Sequence, residues 1–184
     1  MSFIIEELRS PRTIGAFLPS SHALARKMVA TIDFSQAQVI VEYGPGTGIF
    51  TQEILARKRN ETLFLIIEQN EVFYQQLVQL YAHKDNVILI HGDAKDLNVF
   101  LNQHGIAKID YIVSGLPFTS LPLDLTHEIL RTTRDHLSPQ GSFITFQYTL
   151  FKRIIFERFF TIQAIHREYL NFPPAYVLIM KGHD

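Results

Sequence analysis

The stretch Val39 to Phe50, VIVEYGPGTGIF, constrains this chain more than any other. An apolar run, Val39 to Val41, stops at Glu42. Glycines then stand at alternate positions, Gly44, Gly46 and Gly48, and a helix-like segment runs from Thr47 to Lys58. The pattern reads as strand, glycine turn, helix. Glycine belongs where a backbone must turn tightly or let a ligand come close, because a Cβ would collide there. A helix starting at such a turn aims N–H groups and a positive dipole end at whatever occupies it. A dinucleotide fingerprint reads G-x-G-x-x-G. Here an acid precedes the first glycine and the third spacing differs.

After this turn, strand and helix signals alternate. Leu63 to Ile67 is a short apolar run ending at Glu68. Asn70 to Ala82 reads as a helix, with Val72, Phe73, Leu77 and Leu80 spaced for one face. Val87 to Ile90 is the next strand, ending at His91-Gly92-Asp93, and Leu97 to Leu101 is a short helical piece. Ile109 to Val113 is a fourth strand, ending at Ser114-Gly115. Leu123 to His136 is a helix, Ser138 to Gly141 a turn, and Ser142 to Tyr148 a fifth strand. Strands separated by helices imply a parallel sheet covered on both faces. Thr161 to Tyr169 and Ala175 to Met180 are two more strands, joined too tightly for a crossover helix, so they pair antiparallel. The expected architecture is α/β: a Rossmann-like, seven-stranded, mostly parallel sheet with an antiparallel C-terminal hairpin and helices on both faces.

Residues 1 to about 37 form an N-terminal helical arm in this reading. Phe3, Ile4, Ile5 and Leu8 suggest one short helix, which Ser10-Pro11 breaks. Ser20 and Ser21 cap a second helix with a Leu24, Met28 and Val29 stripe, and the arm packs over the glycine turn. No linker or repeat interrupts the chain, and 184 residues suit a single domain, 1–184.

Ligands in open α/β sheets sit beyond the carboxyl ends of the strands. Glu42, Glu68, Asp93 and Ser114 all fall at such ends. Glu68 lies 20 residues past Gly48, where an acid can accept from a pair of ribose hydroxyls. The acid-plus-three-glycine turn resembles that of class I S-adenosylmethionine (SAM) methyltransferases. Glu42 then suits the ammonium and sulfonium of SAM. The resemblance implies cofactor-binding positions at Phe17, Leu18, Glu42, Tyr43, Gly44, Gly46, Thr47, Gly48, Glu68, Gln69, Asp93, Ala94 and Ser114. Asp93 would meet the adenine amine and Ala94 would leave room beside the purine. An Asx turn or helix cap is the competing reading of Asp93.

Ser114-Gly115-Leu116-Pro117-Phe118 stands where adenine-type amino-methyltransferases carry Asn-x-Pro-Tyr/Phe. The asparagine is replaced by Gly115, which counts against an adenine acceptor. A closer resemblance is to bacterial phospholipid N-methyltransferases, themselves similar to rRNA adenine dimethylases. It rests on residues 15–21 with Leu24, Ala25 and Met28, on Glu42 to Phe50, on Ser114 to Phe118, on Phe146-Gln147-Tyr148 and on Asn171 to Ala175. It implies transfer to the amine of a phospholipid such as phosphatidylethanolamine at a membrane surface. Gly115, Leu116, Pro117, Phe118 and Tyr148 would be the catalytic positions, with Phe118 packing on the substrate and Tyr148 a proton acceptor or relay. The alternatives are an rRNA adenine N6-methyltransferase, a small-molecule amine methyltransferase and a catalytically silent SAM-binding regulator.

Composition narrows the rest. Net charge is −1, where a stand-alone RNA binder is usually basic. The absence of cysteine excludes disulfides, thiolate catalysis and cysteine–zinc sites and fits a reducing compartment. MSFIIEELRS carries Glu6 and Glu7 and no cleavage pattern, so it is not read as a signal peptide. No apolar run approaches the ~20 residues of a membrane span. The expected location is cytoplasmic, extending to the inner membrane surface. The eight histidines show no metal-ligand spacing, and no metal is assigned. Phe151, Ile154, Ile155 and Phe159, interleaved with Lys152, Arg153 and Arg158, would share one face of a helix suited to a lipid headgroup layer.

Overall fold

The computed structural model describes residues 21–183. The expected arm helix around Phe3 to Leu8, and Phe17 and Leu18, lie outside them. Seven strands form one sheet: β1 (Val39–Tyr43), β2 (Leu63–Glu68), β3 (Val87–His91), β4 (Ile109–Ser114), β5 (Leu137–Gln147), β6 (Phe160–Glu168) and β7 (Ala175–Gly182). Their spatial order is β3-β2-β1-β4-β5-β7-β6. The first five run parallel, and β7 lies antiparallel between β5 and β6. The chain reverses direction in space between β3 and β4, so β1 and β4 are neighbours whose connections leave on opposite faces. That is where a doubly wound sheet opens a crevice.

Strand residues alternate between two cores, as a period of two requires. On one side, Ile40, Phe64, Ile66, Ile144, Val177 and Ile179 face α1 (His22–Val29), α2 (Ile49–Leu55) and α3 (Glu71–Tyr81). On the other, Val41, Tyr43, Leu65, Ile67, Phe143, Leu178 and Met180 face α4 (Leu97–Gln103), α5 (Leu123–His136) and α6 (Arg153–Glu157). Ser21 caps α1, its hydroxyl accepting from Leu24 N, and Leu24, Ala25, Met28 and Val29 form the buried stripe. Asn70 caps α3 in the same way, accepting from the N–H groups of Val72 and Phe73.

Four local expectations are corrected. The helix after the glycine turn covers Ile49–Leu55 instead of Thr47 to Lys58. On α3, Val72 and Leu80 are exposed, and the buried line is Leu77 and Tyr81, with Phe73 half-buried above them. Ser138 to Gly141 is not a free turn. It bulges within β5 between the pairs Ile109↔Leu137 and Tyr111↔Ser142. Asp110 supports this end of the sheet, accepting from Gln38 N and Val39 N at 2.8 and 3.0 Å. Finally, Arg153–Glu157 is the only helical part of the 150–160 segment among the described residues, and its expected face is split. Ile155 and Phe159 pack against the core, whereas Phe151 and Ile154 are exposed.

Candidate active site

Glu42 is the penultimate residue of β1 and points to the α2 face. It is 0% exposed. The Thr51 hydroxyl, one turn into α2, donates to its Oε2 at 2.7 Å, while Oε1 is buried without a partner. Burial raises its pKa from the ordinary 4.5 to about 8; the Thr51 bond opposes this and the nearby Glu68 charge adds to it. The carboxyl is therefore protonated at neutral pH in the unliganded protein. A buried acid with one free oxygen is a poor structural choice and a good receptor for a cation.

Glu68 ends β2 and folds over the glycine turn. Gly46 N–H donates to its Oε2 at 3.0 Å and Asn70 N–H to its Oε1 at 2.8 Å. Burial raises its pKa, partly offset by these backbone donors. Each oxygen keeps a lone pair for a further donor. Gly44, Gly46 and Gly48 all have positive φ, +58°, +54° and +79°. A Cβ on Gly46 would meet nothing within 4 Å, so its glycine serves the backbone turn, and the space above it is open. Thr47 is exposed at the tip of this turn.

At the end of β3, Asp93 does what the local reading allowed. Its Oδ1 caps Lys95 N at 3.1 Å, and its Oδ2 accepts from the Gln69 side chain at 3.1 Å. Two site expectations shift from side chain to backbone. Ala94 is buried in the α4–α5 core instead of lying open beside a ligand. The Tyr43 ring is likewise core, its hydroxyl 3.1 Å from that of Thr133 on α5. Tyr43→Phe should cost about 1 kcal/mol of stability and leave cofactor affinity unchanged, checked by parallel melting and titration.

The β4 loop closes the other side of the turn. Gly115 N–H donates to Tyr43 O at 2.8 Å, and a Cβ on Gly115 would sit 2.5 Å from Gly44 O. The backbones of the two loops thus touch, and only glycine fits. Ser114 Oγ accepts from Leu116 N, holding the loop's first bend, and Leu116 packs over Gly44. Phe118 requires a correction. It is 3% exposed, edge-on to Phe143 and Phe156, so its ring belongs to the core and offers no open platform. Tyr148 is half-buried on the other face. It stacks edge-on to Phe146, which meets Phe50 of α2. Burial raises its pKa against a hydrogen bond with Asn171, so it keeps its proton. Thr51 and Asn70 were missed as contributors, and Asn171 stood only in the Asn171 to Ala175 resemblance, with no role assigned to it. Of the two missed, Asn70 alone carried a signal, as a capping residue ahead of an apolar-periodic segment.

Residues 16–157 match the family model described as ribosomal RNA adenine dimethylase. The chain belongs to that family of SAM-dependent methyltransferases. An ornithine lipid N-methyltransferase from Singulisphaera acidiphila is 34% identical over 171 residues, covering 92% of this chain and 88% of that protein. A ribosomal RNA small subunit methyltransferase A from Sulfurihydrogenibium is 30% identical over 114 residues. That match covers 62% of this chain but 43% of the relative. The matched segment thus spans less than half the length of that rRNA enzyme. In fold, it is similar to the N-methyltransferase NodS from Bradyrhizobium japonicum solved with S-adenosyl-L-homocysteine. The TM-score is 0.68 at 11% identity, with 89% and 86% of the chains covered. SAM is the cofactor of this dimethylase-family chain, and the site fits it. The free Glu42 oxygen and the open space above Gly46 suit a cationic amino-acid moiety attached to a nucleoside. Among the described residues no cluster of three or more metal-ligating side chains occurs.

Proposed function

We propose that this chain methylates the primary amine of a membrane lipid. The observation that carries the reading is the contact of Gly115 with Gly44 O. The place where an asparagine would orient an adenine has no room for any side chain. The lipid N-methyltransferase relative, matched along nearly its whole length, supports the same acceptor class. Phosphatidylethanolamine and an ornithine lipid both present such an amine. The family model favours a second reading, an rRNA adenine acceptor, which the Gly115 contact opposes.

In this reading Glu42 Oε1 receives the ammonium of SAM and Glu68 takes the ribose hydroxyls. The Gly44–Thr47–Gly48 turn runs beneath the cofactor, with Gln69, Asp93 and the Ala94 backbone at the adenine end. When bound, SAM supplies an electrophilic methyl group whose departure leaves a neutral thioether. The protein's task is positioning a neutral amine in line with it. The carbonyls of Ser114, Leu116 and Pro117 are engaged by Thr145, Phe118, Ser120 and Leu121. Gly115 O takes no hydrogen bond from the described residues and is free to accept one from an amine N–H. Tyr148 keeps its proton and acts as a wall or donor, not as the base.

The test is methyl transfer from labelled SAM to three acceptors: phosphatidylethanolamine liposomes, ornithine-lipid liposomes and undermodified small-subunit rRNA. Label extracted with either lipid supports the reading, and label in RNA alone overturns it. Gly115→Asn should lower transfer by roughly 100-fold or more without creating RNA methylation. The side chain must displace the backbone of the glycine turn to fit.

A further inference from the structure

Large apolar side chains gather at one edge of the sheet with no apolar cover among the described residues. β6 runs antiparallel to β7, and β7 antiparallel to β5, so β5 and β6 end at the same edge. Glu42, Glu68 and Ser114 stand at that edge too. The loops that leave it carry Phe151, Leu170 and Phe172, exposed by 88%, 80% and 83%, with Tyr169 and Ile154 also exposed. These loops are held in place from below. Lys152 Nζ donates to Thr119 O at 2.7 Å, and Asn171, buried between two exposed residues, accepts from Ser21 N at 2.9 Å. The chain therefore fixes this backbone while leaving its apolar tips in water.

Charge says what would cover them. On the rim side of this segment stand Lys152, Arg153 and Arg167, with Lys27 of α1 brought in by its 3.2 Å pair with Glu168. Arg153 also pairs with Glu157 at 3.4 Å, and Arg158 lies away from the rim, next to the start of β6. A chain of net charge −1 thus carries a surplus of positive charge beside its most exposed apolar residues. Apolar tips flanked by cations fit the headgroup and acyl boundary of an anionic bilayer. No helix among the described residues is long and apolar enough to cross one.

We propose that the β5–α6 and β6–β7 loops, tipped by Phe151, Leu170 and Phe172, form a rim that docks the active-site edge onto an anionic membrane surface. The inference rests on the lipid-amine reading for its purpose but not for its test. Docking brings the mouth of the site to the height of the lipid headgroups, so an amine reaches the β4 loop without leaving the bilayer.

The chain contains no tryptophan, so a single one reports cleanly. Leu170→Trp places it on the rim, and Leu80→Trp, on an exposed position late in α3, serves as the reference. With vesicles of phosphatidylcholine and phosphatidylglycerol, Trp at 170 should shift to the blue and Trp at 80 should not. Added salt should weaken the shift. Unchanged emission at 170 overturns the rim. So does a blue shift that needs only higher protein concentration and accompanies dimer formation, since a second copy would then cover it. The triple variant Phe151→Ser, Leu170→Ser, Phe172→Ser should lose about tenfold in kcat/KM on vesicle-borne amine lipid. On the same lipid dispersed in detergent it should match the parent. Docking without methylation of any lipid would uphold the rim and overturn the acceptor. Lipid methylation by a protein with no shift at 170 would do the reverse.

Discussion

Glu42→Gln should weaken SAM binding by roughly 100-fold or more while making the unliganded protein more stable at alkaline pH. Both effects follow from one carboxyl. In the fold its pKa is raised from 4.5 to about 8, mainly by burial. A group whose pKa is raised on folding adds stability in its protonated form. That contribution is complete below pH 4.5 and is lost as pH rises from there to about 8. Above pH 8 the buried carboxylate carries the whole deficit, on the order of 5 kcal/mol. Glutamine keeps the shape and an acceptor for the Thr51 hydroxyl and never ionises, so the variant should be free of this pH-dependent loss. Denaturant titrations of both proteins at pH 6 and pH 9 measure it. A parent no less stable at pH 9, relative to the variant, would refute the assignment. Binding runs the other way. In the proposed reading the cation needs the carboxylate, so SAM affinity of the parent should rise with pH and level near 8. Taking the ratio to the variant cancels the ligand's own ionisation. Losing the buried partner of a charge costs about 3–5 kcal/mol, roughly 100-fold or more in affinity.

The second large effect is expected at Phe118. Its ring fills the junction between β5 and α6, against Phe143 and Phe156. Phe118→Ala removes a buried aromatic and should cost about 3–5 kcal/mol, lowering the melting temperature by roughly 10 °C. Methyl transfer and SAM binding should then fall together as the folded fraction falls. Measured well below the melting transition, the variant should retain SAM affinity, because the ring does not reach the glycine turn. A variant as stable as the parent that binds SAM and transfers nothing would instead make Phe118 an acceptor contact.

Phe118 and the apolar residues of α3 show where sequence stops being informative. Glu42, Glu68 and Ser114 could be placed because each ends an apolar run, and a parallel sheet turns such ends toward one edge. Leu123–His136 was legible from its spacing alone. Phe118 follows a proline in a loop, with no periodicity to say which way it turns, and the neighbours that capture it come from residues 143 and 156. On α3, apolar residues at 72, 73, 77, 80 and 81 allow two overlapping faces, and the sheet selects the one containing Tyr81. The β4–β5 bulge depends on pairing with Ile109, 28 residues earlier than Leu137. The closeness of Gly115 to Gly44 is invisible for the same reason, although the glycine itself was conspicuous.

The position of β7 has a consequence for how the protein is made. Among the described residues β6 hydrogen-bonds to β7 alone, yet β7 follows it in the chain. During synthesis β6 emerges with no neighbour, and β5 keeps an open edge, until residues 175–182 arrive. Two unpaired edges are then exposed at once, a state prone to joining other chains. Completion of the sheet is thus a late, nonlocal event, and the nascent protein is most vulnerable just before its closing strand is released.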